Sequence, residues 1–183
     1  MGIVKKLLDK IFIDGLSAMA QGLFATLIIG TIIQQIGNLI PGTTGQMIFM
    51  IGKVAASLTG AGIGAAVAYR FKGDALVIVS AAVTGMTGAF VSSLLAGKVL
   101  TDGAMIYAGP GEPLGAFIAA YVGIFFGMIV SGKTKIDILI TPIVTIGTGS
   151  VVGLILGPPI SQFMAWLGSL INWGTEQQPF LMG

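Results

Sequence analysis

Long stretches without a charged residue constrain this chain more than any other feature. A soluble domain of this size must solvate its surface, and such stretches leave it few groups with which to do so. A bilayer core about 30 Å thick instead requires about 20 apolar residues for each helical crossing. The sequence therefore predicts an integral membrane protein. Five uncharged runs hold most of the chain: Gly15–Gly52, Val54–Tyr69, Ala75–Gly97, Pro113–Gly132 and Ile138–Thr175.

The overall composition agrees with a helical protein that crosses the membrane several times. Hydrophobic residues make up 55% of the chain and charged residues 9%, and the mean hydropathy is +0.98. The sequence contains no Cys and no His, which excludes disulfides, thiolate or imidazole metal ligands and phosphorylated His or Cys on this chain. We expect no catalytic residue, no metal, no cofactor and no nucleic-acid partner.

Turn signals divide the uncharged runs into helices and predict an all-α, polytopic transmembrane bundle. Pro41-Gly42 separates the first two helices, and Gly157-Pro158-Pro159 ends the fifth. The following segment, Ile160–Trp173, is short and Trp-containing, which is typical of an interfacial or re-entrant helix. We predict about five spanning helices plus this short one. The predicted spans are Gly15–Leu39, Thr44–Tyr69, Ala75–Ala96, Leu114–Ser131 and Ile138–Gly157.

The basic residues are distributed unequally between the two ends of the predicted bundle. One end carries only Lys98, and Lys53 lies inside the second helix. Cytoplasmic loops of membrane proteins carry an excess of Lys and Arg, so the other end is predicted to be cytoplasmic, together with the N-terminus. We therefore expect a multi-pass membrane protein whose N-terminus is cytoplasmic. The basic residues of the cytoplasmic end are Lys5, Lys6, Lys10, Arg70, Lys72, Lys133 and Lys135.

The last residues resemble the beginning of a further helix. Phe180–Gly183 is apolar and follows the polar residues Gln177 and Gln178. With an odd number of predicted crossings, this ending leads us to expect that residues 1–183 form the N-terminal part of a larger membrane domain whose C-terminal half is missing.

Glycine is abundant, with 29 residues, and much of it lies at helix-compatible spacing. One interpretation is helix packing, since small residues let helix backbones approach closely in lipid. The other is that dense clusters such as Gly60-Ala61-Gly62-Ile63-Gly64 mark bends beside a substrate cavity, as in transporters with broken helices. The sequence leaves both interpretations open.

Ionisable and amide side chains at membrane depth are candidates for function. Lys53 lies about nine residues inside the second helix, roughly 13 Å from its start, where it either reaches outward to the surface or faces a polar cavity. Asp14 and Asp137 precede predicted helices and are expected to stabilise the helix N-termini. The amides of the first helix either line a polar path or bond to neighbouring helices: Gln21, Gln34, Gln35 and Asn38.

Two polar segments between apolar runs are candidates for solute binding. Glu112 lies in the stiff segment Tyr107–Pro113, and Glu176 lies in the segment Trp173–Pro179. A carboxylate accepts hydrogen bonds from sugar hydroxyls, amides donate and accept them, and an indole ring stacks on the sugar face. Either segment is equally consistent with an ordinary connector. The predicted substrate-binding residues are Glu176, Gln177, Gln178, Trp173, Glu112 and Lys53.

Several segments together resemble the EIIC-type membrane proteins of the bacterial phosphotransferase system, in the branch that includes perfringolysin O regulator-like proteins. The order and spacing of the segments carry the resemblance along nearly the whole chain. They are Phe12–Phe24, Gly115–Ala120, Ser131–Ile138 with Thr141-Pro142, Gly157–Ile160 and Glu176–Gly183.

The resemblance implies a membrane component that binds a sugar and presents it to a phosphorylated EIIB-type partner, and it implies a homo-oligomer when full length. It also implies that about half of the family domain is absent here. Thr175-Glu176 followed by Pro179 is similar to a Thr-Glu-Pro motif that contacts sugar in other EIIC branches, with Gln177-Gln178 inserted. Two alternatives stay open: a membrane regulator that senses a ligand, and a transporter of a non-sugar solute such as an organic anion.

Overall fold

The computed structural model describes residues 10–101, 104–107 and 109–177, and within them the chain is a helical bundle. The remaining regular structure is a small antiparallel pairing of two-residue strands, in which Leu100 pairs with Met105. The elements are α1 Ile11–Leu39, α2 Thr43–Ser57, α3 Thr59–Arg70, α4 Ala75–Ala89, α5 Val91–Leu95, β1 Leu100–Thr101, β2 Ala104–Met105, α6 Pro113–Val130 and α7 Asp137–Gln177.

The first predicted helix is confirmed, and its hydrogen bonding changes along its length. A π-helical turn, Phe24–Ile28, joins two α-helical parts, Leu16–Leu23 and Ile29–Leu39. Within that turn, the Thr26 hydroxyl donates to the Gly22 carbonyl oxygen at 2.8 Å, and such back-bonding competes with the regular helix pattern. The helix ends at the predicted turn, where Gly42 has φ +84° and begins a hairpin into α2.

The second predicted helix is broken near its middle, so the expectation of one continuous helix over Thr44–Tyr69 is wrong. Helices α2 and α3 meet at Leu58 with a bend of 52°. Just before and after the bend, the Ser57 hydroxyl donates to Val54 O at 2.8 Å and the Thr59 hydroxyl to Ala56 O at 2.7 Å. These local hydroxyl–backbone bonds offer an alternative to the helix ladder and favour a bend.

The third predicted helix also ends early, at Ala89 instead of Ala96. Phe90 has φ −112° and ψ 13°, outside the helical range, and the short helix α5 starts again at Val91. The fourth predicted helix is confirmed within one residue at each end as α6, Pro113–Val130.

The predicted end of the fifth helix is wrong. Helix α7 runs without interruption from Asp137 to Gln177, through Pro142, Pro158 and Pro159. There is thus no separate interfacial or re-entrant helix over Ile160–Trp173. Each proline removes only its own N–H donor, and membrane helices tolerate this because surrounding groups satisfy the freed carbonyls. The expected polar connector after Trp173 is helical as far as Gln177, while Gln178 and Pro179 lie outside the described residues.

The helices differ in their capacity to cross a membrane. Within the described residues, α1, α6 and α7 are each long and apolar enough to span it, and α2 with α3 passes the same test as one bent pair. Helix α4 is apolar but has only 15 residues. The structure therefore supports three spans, or four with the bent pair, where the sequence predicts about five.

Glycine and alanine surfaces hold the centre of the bundle together, which confirms the packing interpretation at these positions. Helix α3 packs on α4, and α4 packs on α6 and α7. A Cβ added at Gly64 would overlap the Ala81 carbonyl oxygen, and one at Gly123 would lie 2.6 Å from Thr145 O. Side chains larger than hydrogen would force these backbones apart, and the largest fully buried side chains include Ile63, Val67, Val77 and Ile124.

Polar contacts join the start of α1, the α3–α4 turn and the α6–α7 turn at one end of the bundle, which agrees with their predicted common side, while Lys5 and Lys6 lie outside the described residues. Arg70 Nη2 lies 2.6 Å from Asp14 Oδ1, which ties the start of α1 to the end of α3. The Ser131 hydroxyl donates to Asp74, which ties the α3–α4 turn to the α6–α7 turn. Asp14 therefore forms an ion pair, and the expectation that it precedes the first helix is wrong because α1 starts before it.

The predicted role of Asp137 at a helix N-terminus is confirmed. Its Oδ1 accepts hydrogen bonds from the Gly132 amide at 2.9 Å and from the Thr141 hydroxyl at 2.7 Å. The carboxylate thus holds the α6–α7 turn against the first turn of α7, where the helix dipole also favours a negative charge.

Candidate functional site

The break between α4 and α5 lies at the opposite end of the bundle, and the loop before α6 is fixed against it. Gly111 has φ +72°, and a Cβ there would lie 2.8 Å from the Ala89 carbonyl oxygen. The Glu112 amide donates to that same oxygen at 2.8 Å. Phe90 and Tyr107 pack edge to face with ring centroids 4.9 Å apart. The last carbonyl of α4 thereby gains a partner from outside its own helix.

A cavity of about 200 Å³ lies at this break. Four helices contribute to it: the end of α4, helix α5, the start of α6 and the middle of α7. Glycines bring these elements together, since a Cβ at Gly88 would lie 2.6 Å from Gly115 O and one at Gly157 would lie 2.5 Å from Val91 Cγ1. The lining residues are Gly88, Ala89, Phe90, Ser92, Ser93, Gly111, Glu112, Gly115, Gly157 and Ser161.

The cavity wall combines a carboxylate with hydroxyl groups. Ser92 Oγ on α5 and Ser161 Oγ on α7 form a hydrogen bond of 2.8 Å in which either can donate. Glu112 precedes α6, and its Oε1 accepts from the Leu114 amide at 3.3 Å. That bond is long, and it is the only one to the Glu112 carboxylate given by the described part of the chain. Glu112 is also half-buried, so its carboxylate retains capacity to accept hydrogen bonds from a solute.

Lys53 lines a different cavity, of about 490 Å³, between the second half of α1 and helix α2. Asn38 and Gln46 lie in the same wall, so the structure places Lys53 beside polar groups. Its side chain is exposed, and it has no ion-pair partner among the described residues. The other amides of α1 are elsewhere: Gln35 borders a separate apolar groove, and Gln34 bonds weakly to Gly30 O at 3.4 Å.

Trp173, from the predicted set at Trp173–Gln178, lines neither of these two cavities. Trp173 is 58% exposed and lies on α7 about 18 Å along the helix axis from Ser161, at 1.5 Å per residue. Glu176 and Gln177 belong to the last turn of α7, and Gln178 falls outside the described residues. The structure therefore places Glu112, Lys53 and Trp173 in three separate regions.

Sequence reasoning missed the hydroxyl groups that complete the Glu112 cavity. Ser92 and Ser161 are 69 positions apart and lie in uncharged runs, where a single serine is unremarkable in composition. The break at Phe90 that precedes Ser92 is visible only in the structure. Near Ser161, the sequence signal is the preceding Pro158-Pro159 pair. Among the described residues, no group of three or more His, Cys, Asp or Glu side chains could hold a metal ion.

Comparison with known proteins gives one family. A family model described as "Phosphotransferase system, EIIC" matches residues 13–183, which is nearly the whole chain. Neither a curated protein nor a solved structure matches.

Proposed function

Because the chain belongs to the EIIC family of phosphotransferase-system membrane proteins, we propose that it binds a sugar within the membrane and presents it to an EIIB-type phosphocarrier. The family and the apolar helices make it a membrane component of that system. The proposed setting is the bacterial plasma membrane, with the N-terminus in the cytoplasm and the protein acting as a homo-oligomer.

The cavity beside Glu112 is the observation that supports sugar binding best. Substrate sites of many transporters lie where membrane helices are interrupted, and this cavity lies at the interruption between α4 and α5. Its carboxylate can accept hydrogen bonds from two sugar hydroxyls, and the Ser92–Ser161 pair can donate one and accept others. Gly88 and Gly115 bring α4 and α6 together at this cavity.

The residues at the end of α7 form a second proposed contact set. Glu176, Gln177, Gln178 and Trp173 supply the same sugar-binding chemistry, and the Thr-Glu-Pro-like motif gives Glu176 the sugar-contacting role. On α7, Trp173 lies about 18 Å from Ser161, since the two are separated by twelve residues of helix, and Gln178 lies outside the described residues. We propose that it contacts the solute at another stage of its passage.

Uptake of sugars tests the proposal directly. Cells that express the protein, with and without phosphoenolpyruvate-dependent phosphotransfer proteins, are supplied with radiolabelled hexoses and hexitols. We expect saturable uptake of at least one of them, and only when the phosphotransfer proteins are present. Uptake of none, or equal uptake without those proteins, would contradict the proposal.

The variant Glu112→Gln locates the site. It keeps the shape of the side chain but removes charge-assisted hydrogen bonds worth about 1.5–3 kcal/mol, so sugar affinity should fall roughly tenfold to 100-fold. Asp74→Asn is the matched control, because Asp74 also precedes a helix and accepts from its first turn, from the Val77 amide at 2.9 Å, but lies at the other end of the bundle. Equal affinities of both variants would remove Glu112 from the site.

An organic anion is the second candidate substrate, favoured by the Lys53 cavity. A lysine with two neighbouring amides, Asn38 and Gln46, suits a carboxylate group. Uptake of labelled dicarboxylates that is lost in Lys53→Met but kept in Glu112→Gln would support this candidate over a sugar.

A further inference from the structure

We infer that Glu112 makes its cavity reject anionic solutes, so that a neutral sugar is accepted and the phosphorylated form of the same sugar is excluded. The inference rests on the proposed function, and it assigns to Glu112 a discrimination that sugar contact alone does not require.

The charge of the cavity wall disfavours an anionic solute. Glu112 is the one ionisable residue among the described residues that line it, and no Lys or Arg is among them. The remaining lining groups are serine hydroxyls, apolar side chains and backbone. A phosphate group in this cavity would meet a like charge without a lining cation to offset it, and two like charges a few Å apart repel even at the effective dielectric of a protein surface.

Glu112 lies at the start of α6, where an anion would otherwise bind. The N-terminus of an 18-residue helix attracts anions through its free N–H groups and the helix dipole. Here the Glu112 side chain already occupies that end, because its Oε1 accepts from the Leu114 amide. The carboxylate therefore takes the place that a solute phosphate would otherwise occupy.

The cavity walls limit where a solute phosphate can lie. Where α4 and α6 are closest, at Gly88 and Gly115, the neighbours include backbone atoms, which cannot turn aside as a side-chain end can. At about 200 Å³ the cavity leaves little room for a phosphate to move away from Glu112. The repulsion and the limited space both disfavour binding of a phosphorylated solute.

Competition binding tests the discrimination. Purified protein in lipid nanodiscs is incubated with labelled glucose, fructose, galactose or mannose, and each is displaced by the unlabelled sugar or by its 6-phosphate. We expect the phosphate to compete at least 100-fold less well than the parent sugar. In Glu112→Gln the ratio should shrink at least tenfold, with weaker sugar binding and stronger phosphate binding, whereas Asp74→Asn should leave it unchanged. An unchanged ratio in Glu112→Gln would overturn the inference.

A second measurement needs no sugar and so separates this inference from the proposed function. A cysteine is placed at Ser92 in the otherwise cysteine-free chain, and its alkylation rate is measured with and without inorganic phosphate. Phosphate should slow alkylation when Glu112 is replaced by Gln and leave it unchanged when Glu112 is present. Equal protection in the two backgrounds, or protection in neither, contradicts the inference even if all four sugars fail to bind.

Discussion

Individual glycines determine how closely the central helices approach, and their neighbours differ enough to be tested separately. A Cβ at Gly64 would overlap the Ala81 carbonyl oxygen, whereas a Cβ at Gly147 on α7 meets nothing within 4 Å. We predict that Gly64→Ala lowers the free energy of unfolding by about 1–3 kcal/mol through overpacking. Gly147→Ala is the control and should leave it unchanged or raise it by up to about 1 kcal/mol, because alanine favours helix. Thermal unfolding in detergent compares the two, and equal effects would mean that α3 and α4 are not in close contact.

The free-energy cost of placing Lys53 in the membrane is difficult to explain by folding alone. A lysine at the centre of a membrane helix costs about 2.5–3.5 kcal/mol on insertion scales; Lys53 lies within the bent α2–α3 pair, and the described residues offer it no ion pair. We predict that Lys53→Met leaves thermal stability unchanged or increased, while solute uptake falls at least tenfold. Lys98→Met, in the loop after α5, should change neither quantity. A loss of stability with uptake intact would make Lys53 a structural residue.

Candidate functional residues could be predicted from the sequence where the local pattern is unusual. Glu112 stands out because it is a carboxylate in a Gly/Pro-rich segment between apolar runs. Ser92 and Ser161 do not stand out, because their relation exists only after α5 and α7 pack together across 69 positions. The role of Glu176 stays a prediction, and the structure adds that it is helical at the end of α7.

At the scale of elements, the sequence predicted boundaries set by strong turn residues and missed those set by packing. The turn at Gly42 and both ends of α6 agree with prediction. The bend at Leu58 lies two residues before Gly60, so the interpretation of the Gly60–Gly64 cluster as the mark of a bend agrees with the structure. Its exact position accompanies the Ser57 and Thr59 hydroxyl–backbone bonds, which the sequence pattern does not reveal. Conversely, Pro158 and Pro159 are strong breakers in water, yet the helix continues through them.

The continuity of α7 gives a prediction about distance. Gly147 and Gly168 both have open space around them and lie on either side of the two prolines. We predict that spin labels on cysteines at these positions are about 31 Å apart, since 21 residues of continuous helix rise 1.5 Å each. Double electron–electron resonance measures this in nanodiscs. A distance under about 20 Å would indicate that the helix turns back at Gly157, as the sequence alone suggests.

At the scale of the whole molecule, the distribution of charge predicted which segments share an end of the bundle. The Asp14–Arg70 and Asp74–Ser131 contacts bring the start of α1, the α3–α4 turn and the α6–α7 turn together. The Glu112 cavity lies at the other end of the bundle. The number of crossings was less predictable, because short or bent helices such as α4 and the α2–α3 pair look like full spans when only apolar composition is counted.

The shared end leads to a prediction of orientation. Thr134 lies in the exposed basic turn between α6 and α7, and Lys98 lies at the opposite end. We predict that a cysteine at Thr134 reacts with a membrane-impermeant maleimide only after the cells are opened, because basic loops stay in the cytoplasm. A cysteine at Lys98 should react in intact cells. The reverse pattern would invert the orientation.

Protection of the cavity by solute tests the assignment of the binding site most directly. A cysteine at Ser161, on the α7 wall opposite Ser92, is alkylated in intact cells in the presence of increasing concentrations of each hexose and hexitol. We predict that a sugar taken up by the protein slows this alkylation with the same concentration dependence as uptake, and that a cysteine at Lys98 is not protected. Saturable uptake of a sugar that leaves alkylation at residue 161 unchanged would contradict the assignment and place the sugar elsewhere in the molecule.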